Sequence, residues 1–125
     1  MSSSLTVAKH RANLEKLREE TLEGLTNLRT DYEELDPTES ASDVGAGEDE
    51  GGSESDLTRF ERDRIRARIA EEEAFLELIA AAQERAATRS WKNCTRCGNP
   101  IGDARLEALP ATDLCVTCKA DRASW

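Results

Sequence analysis

Cysteine usage constrains this chain more than any other feature. Its only four cysteines are Cys94, Cys97, Cys115 and Cys118, arranged as two CxxC pairs separated by seventeen residues. Each pair puts two sulfurs on one tight knuckle, and the intervening loop lets the second knuckle return to the first. Gly98, directly after the second cysteine, is suited to the left-handed angle such a turn requires. In a reducing compartment this pattern reads as metal binding and not as a disulfide framework. The expectation is one structural Zn²⁺ held by all four thiolates. A saturated sulfur shell leaves no position for water or substrate. Nearby Arg96 and Lys119, with the knuckle amides, are suited to offset the excess negative charge. Trp91, Ile101, Leu106, Leu109 and Leu114 are expected to form a small apolar cluster beside the ion, too small to hold a fold without it. Two reactive redox pairs are the alternative reading of the same spacing.

Ahead of the cysteines the chain is polar and periodic. From Leu5 to Leu35, Val7, Leu14, Thr21, Leu28 and Leu35 recur every seven residues, flanked by Leu17, Leu25 and Tyr32. That pattern predicts an amphipathic helix, with an N-cap from Ser2 to Ser4 and a weak point at Gly24. Asp36-Pro37 then stops it. Asp36 to Asp56 contains no basic residue and interleaves eight acids with Gly and Ser, which reads as a mobile linker. A second helical pattern runs from Leu57 to Ser90, with Ile65, Ile69, Leu76 and Ile79 as its stripe and Phe60 and Phe75 beside it. It would be about 50 Å long. Two narrow stripes joined by one connector are best buried against each other. The fold expected is therefore mainly α: an antiparallel two-helix coiled-coil hairpin over 1–90 with an acidic tip at 36–56, then a C4 zinc finger and short tail over 91–125. Each stripe could instead join a larger bundle or a second chain; the intramolecular hairpin makes the chain a monomer.

Composition narrows the function. Of 125 residues, 34% are charged and only five are aromatic, so no thick core is available. The formal charge is −9, and four thiolates around one Zn²⁺ add a net −2, giving −11. Such a chain is repelled by phosphate backbones, so specific DNA binding is not expected. No apolar run reaches membrane-spanning length and no signal core is present, pointing to no membrane partner and a cytoplasmic location. His10 is the only histidine and is expected on the surface. No Ser/His/Asp or Cys/His constellation can be assembled, so an enzyme is not expected.

The finger is more specific than its cysteines. Cys94 to Lys119 reads CxxCGxxIGxxRLEAxPxxxLCxxCK, with Ile101-Gly102, Arg105-Leu106-Glu107-Ala108, Pro110 and Leu114-Cys115 in order. In this it resembles the DksA/TraR family of bacterial transcription regulators, whose longer members place an acidic two-helix coiled coil before such a finger. The resemblance implies direct binding to RNA polymerase, with the coiled coil inserted into the secondary channel and acids at its tip altering initiation. The family tip often reads D-P-x-D-x-A. Here Asp36-Pro37-Thr38-Glu39-Ser40-Ala41 matches it, with Glu39 for the second aspartate. Asp36 and Glu39 are thus the candidate tip acids, and Asp43 an alternative, although Asp36-Pro37 would also serve simply to end a helix. The acidic stretch after the tip is longer than the family pattern, and Trp91-Lys92 replaces an aromatic-glycine pair. Members that respond to guanosine tetraphosphate use basic residues on the finger and adjacent helix. Lys119 matches one such position, but Leu109 stands where an arginine is often found, and no such response is expected. From another class, the chain could be a zinc-ribbon adaptor that docks a different protein, with the hairpin as spacer or dimerisation element.

Overall fold

The structure is a computed structural model and describes residues 4–35 and 48–123, with side chains at 4–35 and 56–121. It is helical: α1 (Val7–Glu34), α2 (Glu48–Arg85), α3 (Asp103–Ala108) and α4 (Val116–Ala123). Among the described residues there is no strand, only an isolated antiparallel bridge between Asn93 and Pro100. α1 and α2 form the expected helical hairpin. The chain divides into two compact units, Met1–Glu20 with Phe75–Trp125, and Thr21–Ala74.

α1 lies within two residues of its predicted limits. Its cap is Thr6, not Ser2 to Ser4: the Thr6 Oγ1 accepts the Lys9 N–H at 3.1 Å, satisfying an amide that has no intrahelical partner. α2 begins at Glu48, nine residues before Leu57, and ends at Arg85, short of Ser90. The sequence Glu48-Asp49-Glu50 is acidic, and acids in a first turn favour a helix start, which is consistent with this early beginning despite Gly51 and Gly52. At the other end the ladder gives way to tight turns, Ala87 N–H to Glu84 O and Thr88 N–H to Arg85 O. The Thr88 hydroxyl also donates to the Arg85 carbonyl at 2.7 Å, satisfying a group that a longer helix would have used.

In the first unit, Leu14, Ile79 and Ala82 are buried together with Ala111, and Leu17, Phe75 and Leu76 pack against them. Here α1 and α2 run antiparallel, since Arg11 reaches the Ala86 carbonyl while Leu14 meets Ile79. In the second unit Leu25 is fully buried, and Arg29 pairs with Glu73 at 2.7 Å. Arg62 stacks on the Tyr32 ring, 3.9 Å from its centroid, and donates to the Tyr32 carbonyl. Each fully buried Leu or Ile contributes about 1.5–3 kcal/mol. Phe60 does not join the stripe and is 63% exposed. It lies five residues from Ile65, about 140° around the helix, so the two cannot share a face.

Candidate metal centre

Both knuckles are built by the backbone before any metal is considered. At the first, the Cys94 N–H donates to Asn99 O at 2.8 Å and the Gly98 N–H to Cys94 O at 3.0 Å. Gly98 closes the turn at φ +80°, the left-handed angle expected of it. At the second, α4 begins directly after Cys115, and the Lys119 N–H donates to Cys115 O at 2.9 Å. Thr95 joins the knuckles: its N–H and hydroxyl both donate to Asp113 O, at 2.9 and 3.2 Å.

The four sulfurs lie within 4.8 Å of one another. A tetrahedron with Zn–S arms of 2.3 Å has edges of about 3.8 Å, and Cys97 Sγ to Cys115 Sγ is 3.7 Å. The Arg96 and Cys118 N–H groups point at Cys94 Sγ and Cys115 Sγ, each at 3.4 Å, as suits sulfurs that carry charge. Burial opposes ionisation of Cys94, but the backbone amides of Cys115, Cys97 and Arg96 outweigh it and bring the thiol down to about 6. Cys115 is lowered mainly by the Cys118 amide. Burial, with three neighbouring cysteines, pushes Cys118 up to about 12. This gradient is what a divalent ion overcomes when it binds four thiolates. The donor set fits zinc, and the cofactor is one structural Zn²⁺.

An apolar wall supports the site. Ile101, Leu106 and Leu114 are buried with Cys94, Cys115 and Cys118, and Trp91 packs against them. Leu109 does not belong to this cluster and is 50% exposed. It follows α3, and its N–H is held by Arg105 O at 2.7 Å, which turns it away from the metal side. Its place is taken by Leu5, only 3% exposed. Leu5 is anchored through its N–H to the Asp103 carboxylate at 2.9 Å, which also pairs with Lys92 at 3.2 Å. That Leu5 amide, and then Lys92, hold the Asp103 carboxyl below its usual range.

His10 is likewise a correction. It is 2% exposed and stacks on Trp91, centroids 4.7 Å apart at 27°. The indole that opens the finger covers it, a partner too distant in sequence to be foreseen. Of the expected counter-charges, Arg96 contributes its amide while its guanidinium pairs with Asp121 at 3.0 Å. Lys119 is exposed. The candidate tip acids Asp36, Glu39 and Asp43 lie outside the described residues.

Comparison with known proteins agrees with this geometry. Residues 88–122 match the prokaryotic dksA/traR C4-type zinc finger. Over 48 residues the chain is 40% identical to the RNA polymerase-binding transcription factor DksA of Haemophilus influenzae, a match covering 38% of this chain. It spans only 33% of that relative's length. The solved structure of transcription factor DksA2 from Pseudomonas aeruginosa is similar at a TM-score of 0.50 and 25% identity, covering 90% of this chain and 84% of that one. Residues 88–122 are thus a finger of the dksA/traR C4 type with its four thiolates closely set, and the helical hairpin ahead of it makes the chain similar in fold to DksA2.

Proposed function

We propose that this protein is a transcription regulator that binds RNA polymerase directly and places its acidic helical hairpin in the secondary channel, modulating initiation. The observation that carries this reading is the joining of a DksA-type finger to a helical hairpin in a fold shared with DksA2. The relative from Haemophilus influenzae is named as RNA polymerase-binding. Electrostatics favour the same partner: a thin chain of formal charge −9 is steered toward a positive, narrow channel and away from nucleic acid. In this reading residues 1–90 act as a coiled coil and 91–125 as its zinc-held base. Asp36 and Glu39, with Asp43 beside them, are the acting acids. The protein works as a cytoplasmic monomer without catalysis of its own, and no helix among the described residues is long and apolar enough to cross a membrane.

The test is co-purification with core RNA polymerase, followed by competition with a known secondary-channel occupant. Binding that the occupant displaces is the expected result. Absent binding, or binding that survives an occupied channel, favours the adaptor reading instead. Replacing Asp36 and Glu39 with Asn and Gln should spare binding and remove the effect on transcripts.

A further inference from the structure

In the second unit, α2 leaves an apolar pair in water. Leu57 and Phe60 are 68% and 63% exposed, more than any other large apolar residue described in α1 or α2. At about 100° per residue they share one face with Arg64 and Arg68, which lie two and three turns beyond Leu57. The half-buried positions of this stretch, Ile65 and Ile69, lie about 80–120° away around the helix. The face of α2 that meets α1 is therefore a different one, and Leu57 and Phe60 point past it. An exposed aromatic beside a leucine is the usual centre of a contact between molecules.

The charges of α2 divide about that pair. In sequence, the helix holds five acids and no base before Leu57: Glu48, Asp49, Glu50, Glu54 and Asp56. From Arg59 to Arg68 it holds five arginines against two acids, Glu61 and Asp63. Both blocks lie on one helix, so beyond the turn where they join they cannot reach each other. α1 offers the acids no partner. It has no base after Arg29, which pairs with Glu73, and Asp31, Glu33 and Glu34 add to the negative side. Within the basic block, Arg62 and Arg66 are held at Tyr32. Arg64 meets Glu61 at 3.5 Å in an exposed pair of little strength. Arg59 and Arg68 form no ion pair among the described residues. A second α2 laid antiparallel across Phe60 brings each acidic block against the other copy's basic block. Such a two-fold contact is self-complementary, and charge patterns of this kind set the orientation of paired helices. A partner of a single charge would satisfy one block and oppose the other. One helix face is smaller than the roughly 1,600 Å² of a standard interface, and each chain carries −9, so the contact is weak and reversible.

We propose that the free protein pairs with a second copy of itself through this face of α2, Leu57 and Phe60 packing across a two-fold axis between opposed acidic and basic blocks. Pairing belongs to the unbound protein and goes beyond the function proposed above; the chain engaged at the polymerase stays single. The test is sedimentation velocity of the zinc-loaded full chain, from dilute to near-millimolar concentration. A reversible monomer–dimer equilibrium is expected. Phe60→Ser should weaken it about tenfold. Because Phe60 is mostly in water, that variant should keep the parent's circular dichroism and melting temperature. Arg64→Glu with Arg68→Glu should abolish pairing, and Glu50→Arg with Glu54→Arg should weaken it. An equimolar mixture of those two double variants should pair more tightly than either alone, since the exchanged charges meet again. A photoreactive phenylalanine analogue at position 60 should crosslink into α2 of the other copy. The proposal is overturned by a chain that stays monomeric throughout, by a dimer indifferent to Phe60→Ser, by a mixture no tighter than its parts, or by crosslinks confined to the finger. It is equally overturned if the chain is monomeric and Phe60→Ser instead removes binding to RNA polymerase, which would give the face to that partner.

Discussion

Burial and a missing hydrogen bond decide the charge state of His10. Its ring is stacked on Trp91, and Nδ1 has no hydrogen-bond partner among the described residues. An imidazolium needs acceptors for both of its N–H groups. Burial first, and then the nearby Arg85, hold its pKa below the ordinary 6.5. The unfolded chain therefore binds this proton more readily than the folded one. The stabilisation is complete above about pH 6.5 and is lost as pH falls below it. Thermal melts of the zinc-loaded protein should shift downward through that window, and His10→Phe should flatten the dependence. As the only histidine, its ring resonance offers a direct titration, and a normal pKa would contradict the burial. None of this was legible locally. Lys9 and Arg11 flank His10, and a polar run reads as a solvated turn until Trp91 arrives from far along the chain. Leu5 was missed for the same reason: its register is set by Asp103 and the finger, not by the heptads of α1.

At the scale of elements, periodicity was a good guide wherever both faces of the pattern were clear. α1 was predicted to within two residues because its apolar stripe and the Asp36-Pro37 stop leave few choices. The start of α2 was not, because Gly51, Gly52 and Ser53 have the composition of a linker, while the dipole benefit of the acids before them is small per residue. Glycine gives the sharpest test here, since two of them carry opposite predictions. An added Cβ at Gly24 meets nothing within 4 Å, and Gly24 lies inside α1. Gly24→Ala should stabilise the protein by about 1 kcal/mol, raising the melting temperature by about 4 °C. Gly98→Ala also meets no steric obstacle, yet it sits at φ +80° and should destabilise the finger by about 1 kcal/mol. Circular dichroism melts of the two variants should therefore move in opposite directions.

For the molecule as a whole, the cysteine quartet was the most legible feature. Spacing within a knuckle is a local property, and the sulfurs sit as the two CxxC pairs demand. What the metal supports was less visible. The apolar wall is only Leu5, Ile101, Leu106 and Leu114 with Trp91 beside them, too little to hold four crowded thiolates without a cation. Metal analysis should give one zinc per chain. Chelation should release four titratable thiols and abolish the near-ultraviolet signal of Trp91, while far-ultraviolet helicity falls by less than half, since α1 and α2 carry most of it. Loss of all helicity in step with the metal would show instead that the hairpin cannot stand without the finger.

The bond from Leu5 to Asp103 spans 98 positions, and its consequence concerns time. Translation delivers Leu5 first and the finger last, so the finger's core stays one leucine short until the earliest residues return to it. Closing so long a loop is entropically expensive and slow relative to forming a local helix. Newly made α1 carries its own cap at Thr6, but Leu5 beside it has nothing to bury against until the finger that holds Asp103 has been made. Maturation of this protein is in effect a clasp, fastened when Leu5 meets the finger.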